Sequence, residues 1–552
     1  MNAILGRRDP AWTGVLLFAL AVLALFLVWP LLTTFAHSFT DGEGGLGLGG
    51  YAAFFRSRSY RDSLWNTLIL GGSVTATSMI VGGALAVLVA RCTFPLAGWA
   101  AALPLVTLVI PDVVVAAAWM LILGQQGIVN TWLAPTGIQV GSLYSWWGLV
   151  FVMTLNSYVY AFVMILVGLK AMDRNLEEAA SSLGRPMSRV FAGVTLPLIL
   201  PTLFGAALVV FTHVIGSFGI PAILGARTPV LAVKAYNEFV SELGGNPRMQ
   251  SVMSTLLVAL GIAMLGVQKL VVERGQYQME SGRTPAAVPI RGARATTAAL
   301  AVMVVVVLSL APAIVAVVTA FTPSNGPVLD YGGFTWDHMA SALSRASRPL
   351  WNSLALAAVA TLAGVVFSVA VAYLVVKRRT PATAALDVLV MLPLTIAGTV
   401  LGIALINTFN TGWLVLTGTW IIMALAYFLR RIPNSVRAAV GPLHNLRDSI
   451  EEASVSLGVP PLASFFKVVM PLIGPAVAAA AVLMWVTSLS ELSATIVLYY
   501  GGMSTMPIEI FQQVDSGRLA PASAYSVILM LAIFVPLAIA RWIFRVKVDS
   551  LQ

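Results

Sequence analysis

The sequence predicts an all-α membrane protein of about twelve transmembrane helices, arranged as two parallel six-helix repeats. Composition gives the first part of this prediction. Of the 552 residues, 59% are hydrophobic and 10% are charged, whereas soluble domains carry roughly a quarter charged residues. A long internal repeat gives the second part, because a segment of the first half returns 274 residues later, from Glu177 to Glu451.

The predicted spans are apolar runs long enough to cross a bilayer, whose core needs about 20 residues per helix. Five uncharged runs meet this length clearly, at residues 11–36, 64–90, 295–321, 351–376 and 520–540. Weaker or proline-interrupted runs lie at residues 96–123, 146–169, 201–224, 251–267, 388–409, 413–429 and 475–498. Together they give twelve spans.

The formal net charge of +10 is concentrated at predicted span ends. An excess of Lys and Arg marks cytoplasmic loops. We therefore expect a multi-pass protein in the lipid bilayer, with both termini on the cytoplasmic side. The residues that abut spans on this side are Arg91, Lys170, Lys377 to Arg379, Arg430 and Arg431. No basic stripe with interleaved aromatic residues is present, which argues against a nucleic-acid partner. The single cysteine, Cys92, excludes an internal disulfide.

The repeat divides the chain into two homologous halves. EEAASSLGRPMSRVFAGVTLPLILP at residues 177–201 returns as EEASVSLGVPPLASFFKVVMPLIGP at residues 451–475, with thirteen of the 25 positions identical. LWNTL at 64–68 and LWNSL at 350–354 form a second echo, at an offset of 286. We therefore predict halves at 1–267 and 298–552, joined by a cytoplasmic linker at 268–297. Since six spans separate the copies, both run in the same direction, and a path is expected along the seam between the halves.

The repeated segments, residues 175–201 and 449–475, are called here the two elbows. Asn175 stands three residues before Glu178, and Ser449 three before Glu452, which predicts a capping box at each helix start. An apolar stripe at helical spacing follows on each helix: Leu176, Ala180 and Leu183 in the first, Ile450, Ser454 and Leu457 in the second.

The ends of the elbows also recur. Gly184 and Gly458 are expected to end the short helices in a left-handed turn. Pro197 and Pro201, matched by Pro471 and Pro475, are expected to break helix continuity and redirect the chain into the next span. Each elbow is therefore predicted to be a small cytoplasmic docking surface, linked to the span that follows it.

These motifs resemble the binding-protein-dependent permeases of bacterial ABC importers. The family signature is matched by Glu178, Ala179, Ala180, Gly184, Val194, Leu196 and Pro197, and again by Glu452, Ala453, Ser454, Gly458, Val468, Met470 and Pro471, with Ser454 and Met470 departing from it. The resemblance implies a type I importer permease fold in a bacterial inner membrane. It also implies that the elbows are coupling helices seated in clefts of two ATPase subunits, and that an external solute-binding protein delivers the substrate.

The nucleotide machinery is expected in a separate chain. None of the six lysines follows a glycine, so the Gly-Lys-Ser/Thr end of a phosphate-binding loop is missing from the sequence. The four histidines are scattered without a zinc-type pair. We therefore expect no enzyme activity and no cofactor in this chain, with ATP and magnesium bound by the partner ATPase.

The candidate lining of the path consists of polar residues in the spans that follow the elbows. His213 and Ser217 are one helical turn apart, and Thr487 and Glu491 repeat them at an offset of 274. Such groups are expensive in hydrocarbon and usually face a cavity or a partner, although a hydrogen-bonded packing cluster is an equal alternative. Asp112 and Asp387 are further candidates, with placement at the membrane interface as the alternative.

The substrate is indicated by resemblance alone. SELSAT at residues 490–495 and FGIP at 218–221, in a fused two-copy chain, are most similar to iron(III)-type permeases. Relatives for 2-aminoethylphosphonate, polyamines and thiamine are alternatives. Two other classes stay open: an ion-coupled secondary carrier, against which the few charges inside the predicted spans argue, and a membrane scaffold, which leaves the repeated elbow unexplained.

Overall fold

The computed structural model describes residues 10–40, 45–95, 97–241, 246–274, 288–325, 328–330 and 332–544. The chain is built from helices, with two short strand pairs among the described residues. The helices of the first half are α1 (Pro10–Leu23), α2 (Trp29–Ser38), α3 (Gly49–Arg56), α4 (Arg58–Arg91), α5 (Ala97–Thr107), α6 (Asp112–Leu123), α7 (Ile128–Leu133), α8 (Trp146–Ala171), α9 (Arg174–Ser182), α10 (Met187–Val190), α11 (Leu196–Gly216), α12 (Gly219–Leu224), α13 (Leu231–Val240) and α14 (Pro247–Arg274).

The second half follows the same order. Its helices are α15 (Ala293–Ala320), α16 (Asp337–Lys377), α17 (Pro381–Met391), α18 (Gly398–Phe409), α19 (Trp420–Asn445), α20 (Asp448–Ser456), α21 (Pro461–Ser464), α22 (Met470–Leu489), α23 (Thr495–Leu498), α24 (Met506–Asp515) and α25 (Leu519–Phe544). Short 3₁₀ segments cover Ala134–Thr136 and Leu392–Thr395.

Each of the twelve predicted spans corresponds to a helix or to a bent helix pair. In the described residues, ten helices are long and apolar enough to cross a membrane, and a pair bent by 111°, Pro381–Thr395 with Gly398–Phe409, makes an eleventh. The twelfth is α19, which is not among these apolar helices and carries Arg430 and Arg431 in its middle. The helix therefore continues beyond the predicted end of the span at residue 429, and the two arginines lie within it.

Three spans contain a single π-helical turn, and a proline follows each turn at the same position. The turns are Ala24–Val28, Phe191–Thr195 and Phe465–Val469, and the prolines are Pro30, Pro197 and Pro471. Proline has no N–H to donate and its ring clashes with the preceding turn. A π turn relieves this by shifting the hydrogen bonds by one residue, as when Leu196 donates its N–H to the carbonyl of Phe191.

The first span of each half packs on the opposite half. In the first half, Trp12 of α1 stacks on Tyr373 of α16 with ring centroids 4.2 Å apart, and Thr33 of α2 hydrogen-bonds Thr408 of α18 at 2.5 Å. In the second half, α15 packs against α5 and α6, and Ser309 donates to the hydroxyl of Tyr158 at 3.1 Å. The two halves are therefore interlocked along their seam.

Helices extend into the predicted linker from both sides. Helix α14 continues to Arg274 and α15 begins at Ala293, while residues 275–287 lie outside the described part of the chain. Strand β1 (Cys92–Thr93) pairs in parallel with β2 (Val288–Pro289), next to the end of α4. A second pair, β3 (Ser324–Asn325) and β4 (Val328–Leu329), follows α15. The boundaries 268 and 297 remain a prediction.

Candidate functional sites: two elbows and a charged seam

Each elbow begins with a short helix whose first glutamate is buried against the end of an earlier span. In the first elbow, Glu177 on α9 accepts a hydrogen bond from the Arg91 guanidinium at 2.7 Å and another from the Thr195 hydroxyl at 2.7 Å. Arg91 ends α4, and Thr195 lies in the π turn that leads into α11. Glu177 therefore ties the elbow helix to two spans at once.

The second elbow is anchored in the same place by different groups. The hydroxyl of Tyr373 on α16 donates to Glu451 on α20. The ammonium group of Lys377 lies 2.5 Å from the Asp448 carboxylate and 2.6 Å from the Leu446 carbonyl. Lys377 corresponds to Arg91 at the offset of 286, so both halves use a cation at the end of the equivalent span.

The other face of each elbow helix is open. Leu183 is 83% exposed and its counterpart Leu457 is 86% exposed, and Leu176 and Ile450 are also exposed. Glu178 and Ala179 are exposed as well, and Ala453 with them. The predicted apolar stripe is thus exposed at its leucines and at Ile450 in both halves, while Ala180 and Ser454 are half-buried.

The predicted starts of these helices are wrong, and their ends are confirmed. Helix α9 begins at Arg174 and is capped by Asp173, which accepts the N–H of Asn175 at 3.0 Å. Helix α20 is preceded by Arg447 and has no side-chain cap. Asn175 and Ser449 therefore already lie inside the first turns and form no capping box. Both helices do end at glycines with positive φ, 77° at Gly184 and 87° at Gly458.

The prolines of the elbows do not break the chain as predicted. Pro197 and Pro471 lie within the continuous spans Phe191–Gly216 and Pro461–Leu489, because the π turn before each proline absorbs its missing hydrogen bond. Pro201 and Pro475 also lie inside helices. The chain changes direction earlier, between Gly184 and Met187 in the first half and between Gly458 and Pro461 in the second.

The seam between the halves holds a buried ion cluster centred on Glu491. This residue lies in the break between α22 and α23, and its side chain is 2% exposed. Nη1 of Arg430 is 2.5 Å from its Oε1, Arg431 pairs with Oε2, and the Ala494 N–H donates to Oε1 at 3.1 Å. Arg430 is the eleventh residue of α19, about 15 Å along the helix axis. Such a charge is costly in the interior unless it is paired.

The equivalent site of the first half is centred on Asp112 and lacks arginine. Asp112 begins α6 after the break at Pro111. Its Oδ1 accepts from the Asn156 amide at 3.0 Å and its Oδ2 from the Ser217 hydroxyl at 3.4 Å. Both donors are neutral. Across the residues that the structure describes, Asp112 forms no ion pair.

The repeat relates the two sites residue by residue. Asn156 corresponds to Arg430 and Ser217 to Glu491 at the offset of 274, and Asp112 corresponds to Gly398 at 286. Glycine is required at 398 because a Cβ there would overlap the guanidinium of Arg430 and lie 2.6 Å from the Cβ of Ser493. The carboxylate therefore occupies different positions in the two halves. It begins α6 in the first half and lies in the break after α22 in the second.

The two sites meet at the seam. A Cβ placed on Gly219 would lie 3.3 Å from the Cβ of Asp112 and 3.4 Å from Leu492, the neighbour of Glu491. The rings of Tyr160 and His213 lie between them with centroids 4.6 Å apart, and both interact electrostatically with Asp112 and with Arg431. We call Asp112, Asn156, Tyr160, His213, Ser217, Arg430, Arg431 and Glu491 the seam cluster.

The predicted lining residues are only partly placed as expected. Ser217 and Glu491 lie beyond the ends of α11 and α22, so they do not share a helix face with His213 and Thr487. The Thr487 hydroxyl bonds its own helix at Leu483, at 2.7 Å, and its carbonyl accepts from Arg431 at 2.7 Å. Asp387 pairs instead with Arg437, at 3.5 Å. Whether these residues line a path remains a prediction.

The arginines, Asn156 and Tyr160 were missed by the sequence reasoning. The position of Arg430 and Arg431 after an apolar run indicates charges at a membrane surface, and it does not show that they pair with Glu491. The signal that reveals them is the repeat itself, since the offset of 274 aligns them with Asn156 and Ser157. Those two residues lie well inside a predicted span.

The fold and these sites define a multi-pass membrane protein built from two homologous halves around a charged seam, with one repeated surface helix in each half. The family model described as "binding-protein-dependent transport system inner membrane component" matches residues 45–322 and 353–546. The chain belongs to this family, and it contains two copies of the family unit.

Curated relatives include permeases over nearly the whole chain. The ferric transport system permease protein FbpB of Actinobacillus pleuropneumoniae is 26% identical over 97% of this chain and 79% of its own length. A putative ferric transport system permease of Haemophilus influenzae is 27% identical over 88% of this chain and 77% of its own length. A putative 2-aminoethylphosphonate transport system permease, PhnV of Salmonella paratyphi A, is 27% identical over 43% of this chain and 89% of its own length.

Among solved structures, a chain of a bacterial ABC transporter for the import of alginate is similar, with a TM-score of 0.41 and 17% sequence identity. The match covers 49% of this chain and 97% of that chain.

Proposed function

We propose that this chain is the transmembrane permease subunit of an ATP-driven importer in a bacterial inner membrane. ATP and magnesium are bound by two ATPase subunits that dock on the elbow helices α9 and α20, and an external binding protein delivers the cargo on the other side. In this arrangement both termini and both elbows face the cytoplasm. The chain itself performs no catalysis.

The observation that carries this proposal is the two-sided construction of each elbow. One side is open and apolar, at Leu183 and Leu457. The other side is locked to the spans by Glu177 in the first half and by Glu451 in the second. A partner that moves the open side therefore moves α4 and α11, or α16 and α22, with it. Docking on both elbows would move the two halves at the same time.

The cargo we propose is ferric iron. The support is the length of the similarity, since permeases named for ferric transport match nearly the whole fused chain. The 2-aminoethylphosphonate permease matches less than half of it. 2-Aminoethylphosphonate, polyamines and thiamine remain the alternative cargoes.

An ion-coupled secondary carrier is the alternative of a different class. The seam cluster favours it more than the sequence suggested, because two acidic and two basic side chains lie inside the bundle. The expectation that the spans hold few charges was thus too strong. Uptake into vesicles driven by an ion gradient without ATP would support this alternative.

The docking role is tested with the elbow variant Leu183→Asp/Leu457→Asp. Both side chains are exposed, so the fold should be unaffected. Loss of the apolar surface should remove most co-purification of the ATPase and most ATP-driven uptake of radioactive ferric iron, because a buried leucine contributes about 1.5–3 kcal/mol to an interface. Glu178→Lys and Glu452→Lys form a second pair with the same expectation.

Leu46→Asp is the control for co-purification, because Leu46 is 86% exposed and lies in another part of the chain. This variant should retain the ATPase. Undiminished ATPase association and uptake in both elbow pairs would refute the docking role.

A further inference from the structure

We infer that Asp112 contacts the positively charged centre of the cargo as it crosses the seam. The inference rests on the proposed function, namely import between the two halves, and it names the side chain that recognises the charge of the cargo. It does not depend on ferric iron. 2-Aminoethylphosphonate carries an ammonium group, and polyamines and thiamine are cations, so each candidate cargo presents a positive centre.

The two related sites differ in charge. Glu491 is held by two guanidinium groups and by a backbone N–H. Asp112 receives hydrogen bonds from Asn156 and Ser217, which are neutral. A carboxylate inside a membrane protein is costly without a positive partner. In the second half, Arg430 and Arg431 provide the positive charge. In the first half, the cargo provides it.

The hydrogen-bonding capacity around Asp112 is not fully used. A carboxylate offers about four acceptor positions, and the bonds from Asn156 and Ser217 leave room for a ligand. The buried Nε2 atom of His213 has no hydrogen-bond partner, and His213 lies close enough to interact electrostatically with Asp112. A passing ligand with its own polar groups would satisfy both.

The site is suited to transit of the cargo rather than to its storage. Within the described residues, no group of three acidic, histidine or cysteine side chains could hold a metal ion. A translocation site must bind its ligand well enough to admit it and weakly enough to release it. One carboxylate whose two hydrogen-bond donors are neutral meets that requirement, whereas a complete ligand cage would trap the cargo.

The position of Asp112 also fits a path. It is the first residue of α6 and directly follows the non-helical break at residues 108–111. Irregular backbone at membrane depth is tolerated where it is buried in protein or lines a cavity. Across the seam, the position of Glu491 is the break between α22 and α23. Both carboxylates therefore stand at interrupted spans that face each other.

The experiment uses the complete transporter in proteoliposomes, with its ATPase and binding protein. Wild-type protein is first offered ferric iron, 2-aminoethylphosphonate, putrescine and thiamine, which identifies the cargo. Asp112→Asn keeps the size and polarity of the side chain and removes its charge. It should lower ATP-driven uptake about tenfold or more, while ATP hydrolysis stimulated by the binding protein changes by less than about twofold.

Two further variants separate a contact from a structural role. Asp112→Glu restores the charge and should recover part of the uptake. Asp62→Asn removes another carboxylate, which is 53% exposed and paired with Arg58 outside the seam cluster, and should transport like wild type. Wild-type uptake in Asp112→Asn would overturn the inference. So would a joint loss of uptake, ATP hydrolysis and thermal stability that Asp112→Glu does not rescue.

The cargo experiment distinguishes a failure of the proposed function from a failure of the inference about Asp112. Transport of one of the other three compounds instead of ferric iron overturns the proposed cargo, and the Asp112 variants are then judged on that compound. Uptake that needs no ATP overturns the proposed importer, and the same variants are judged on that uptake.

Discussion

At Glu491, one carboxylate holds two guanidinium groups inside a helical bundle. The favourable part of this arrangement is the geometry, with each oxygen facing a different arginine. The unfavourable part is the removal of three charges from water. The cluster therefore fixes α19 against the end of α22 for as long as all three members are present.

Replacing Glu491 should therefore destabilise the protein strongly. Glu491→Gln leaves Arg430 and Arg431 buried without a counter-charge, and breaking a buried pair in this way costs about 3–5 kcal/mol. The loss is measured as the free energy of unfolding in detergent, by denaturant titration. Asp387→Asn is the matched control, because its pair with Arg437 is partly exposed and should contribute about 0–1 kcal/mol. Equal stability of the two variants would contradict the structural role of the cluster.

At this scale, the sequence could show which polar residues are unusual, but not which of them meet. Asp112, Ser217 and Glu491 stand out because they interrupt apolar runs. That Ser217 reaches Asp112 across 105 positions depends on how α6 packs beside the end of α11. The rule for loop charges does not show that Arg430 and Arg431 pair with Glu491 inside the bundle.

At the scale of elements, the elbows show which local signals are reliable. Glycines at 184 and 458 ended their helices as predicted, since positive φ is a property of the backbone itself. Helix starts and prolines were harder to predict. Asp173 outcompetes Asn175 as a cap, and a π turn lets Pro197 remain within a continuous helix. These outcomes depend on competition between neighbours, which one residue pattern does not show.

The position of α4 relative to the membrane can be tested with Cys92, which follows this helix directly. In the proposed orientation, Cys92 is modified by thiol reagents from the cytoplasmic side and not from the outside. Burial raises the pKa of the Cys92 thiol above its usual value of 9.0. Because the thiolate is the reactive form, maleimide labelling should be slow at pH 7 and faster as the pH rises.

Two variants in a Cys92→Ser background calibrate this labelling. Ser181→Cys, on the exposed face of α9, should react on the cytoplasmic side and faster than Cys92 at pH 7. Ser59→Cys, near the other end of α4, should react from the outside. Labelling of Cys92 by an impermeant reagent added outside intact cells would reverse the proposed orientation.

At the scale of the whole molecule, the parallel repeat was predictable. The packing of the first span of each half on the opposite half was not. Recurrence at fixed offsets with an even number of spans is enough to set the direction of the halves. The apolar composition of a span does not determine which helix it packs on, because lipid tails and apolar side chains of other helices are equally apolar neighbours. Contacts such as Trp12 with Tyr373 appear only once the halves are assembled.

The interlocked spans predict that the halves depend on each other. If the chain is cut between residues 275 and 287, the two fragments should co-purify when expressed together, because α1 and α2 pack on α16 to α18 while α15 packs on α5 and α6. Each fragment alone should lose these contacts, and its unfolding midpoint should fall by about 10 °C or more. A first fragment that lacks residues 10–38 should retain less of the second, because the packing of α1 and α2 is lost while that of α15 on α5 and α6 remains. Halves that purify separately, each as stable as the intact chain, would show that the seam is a loose contact and that force from one elbow stays within its own half.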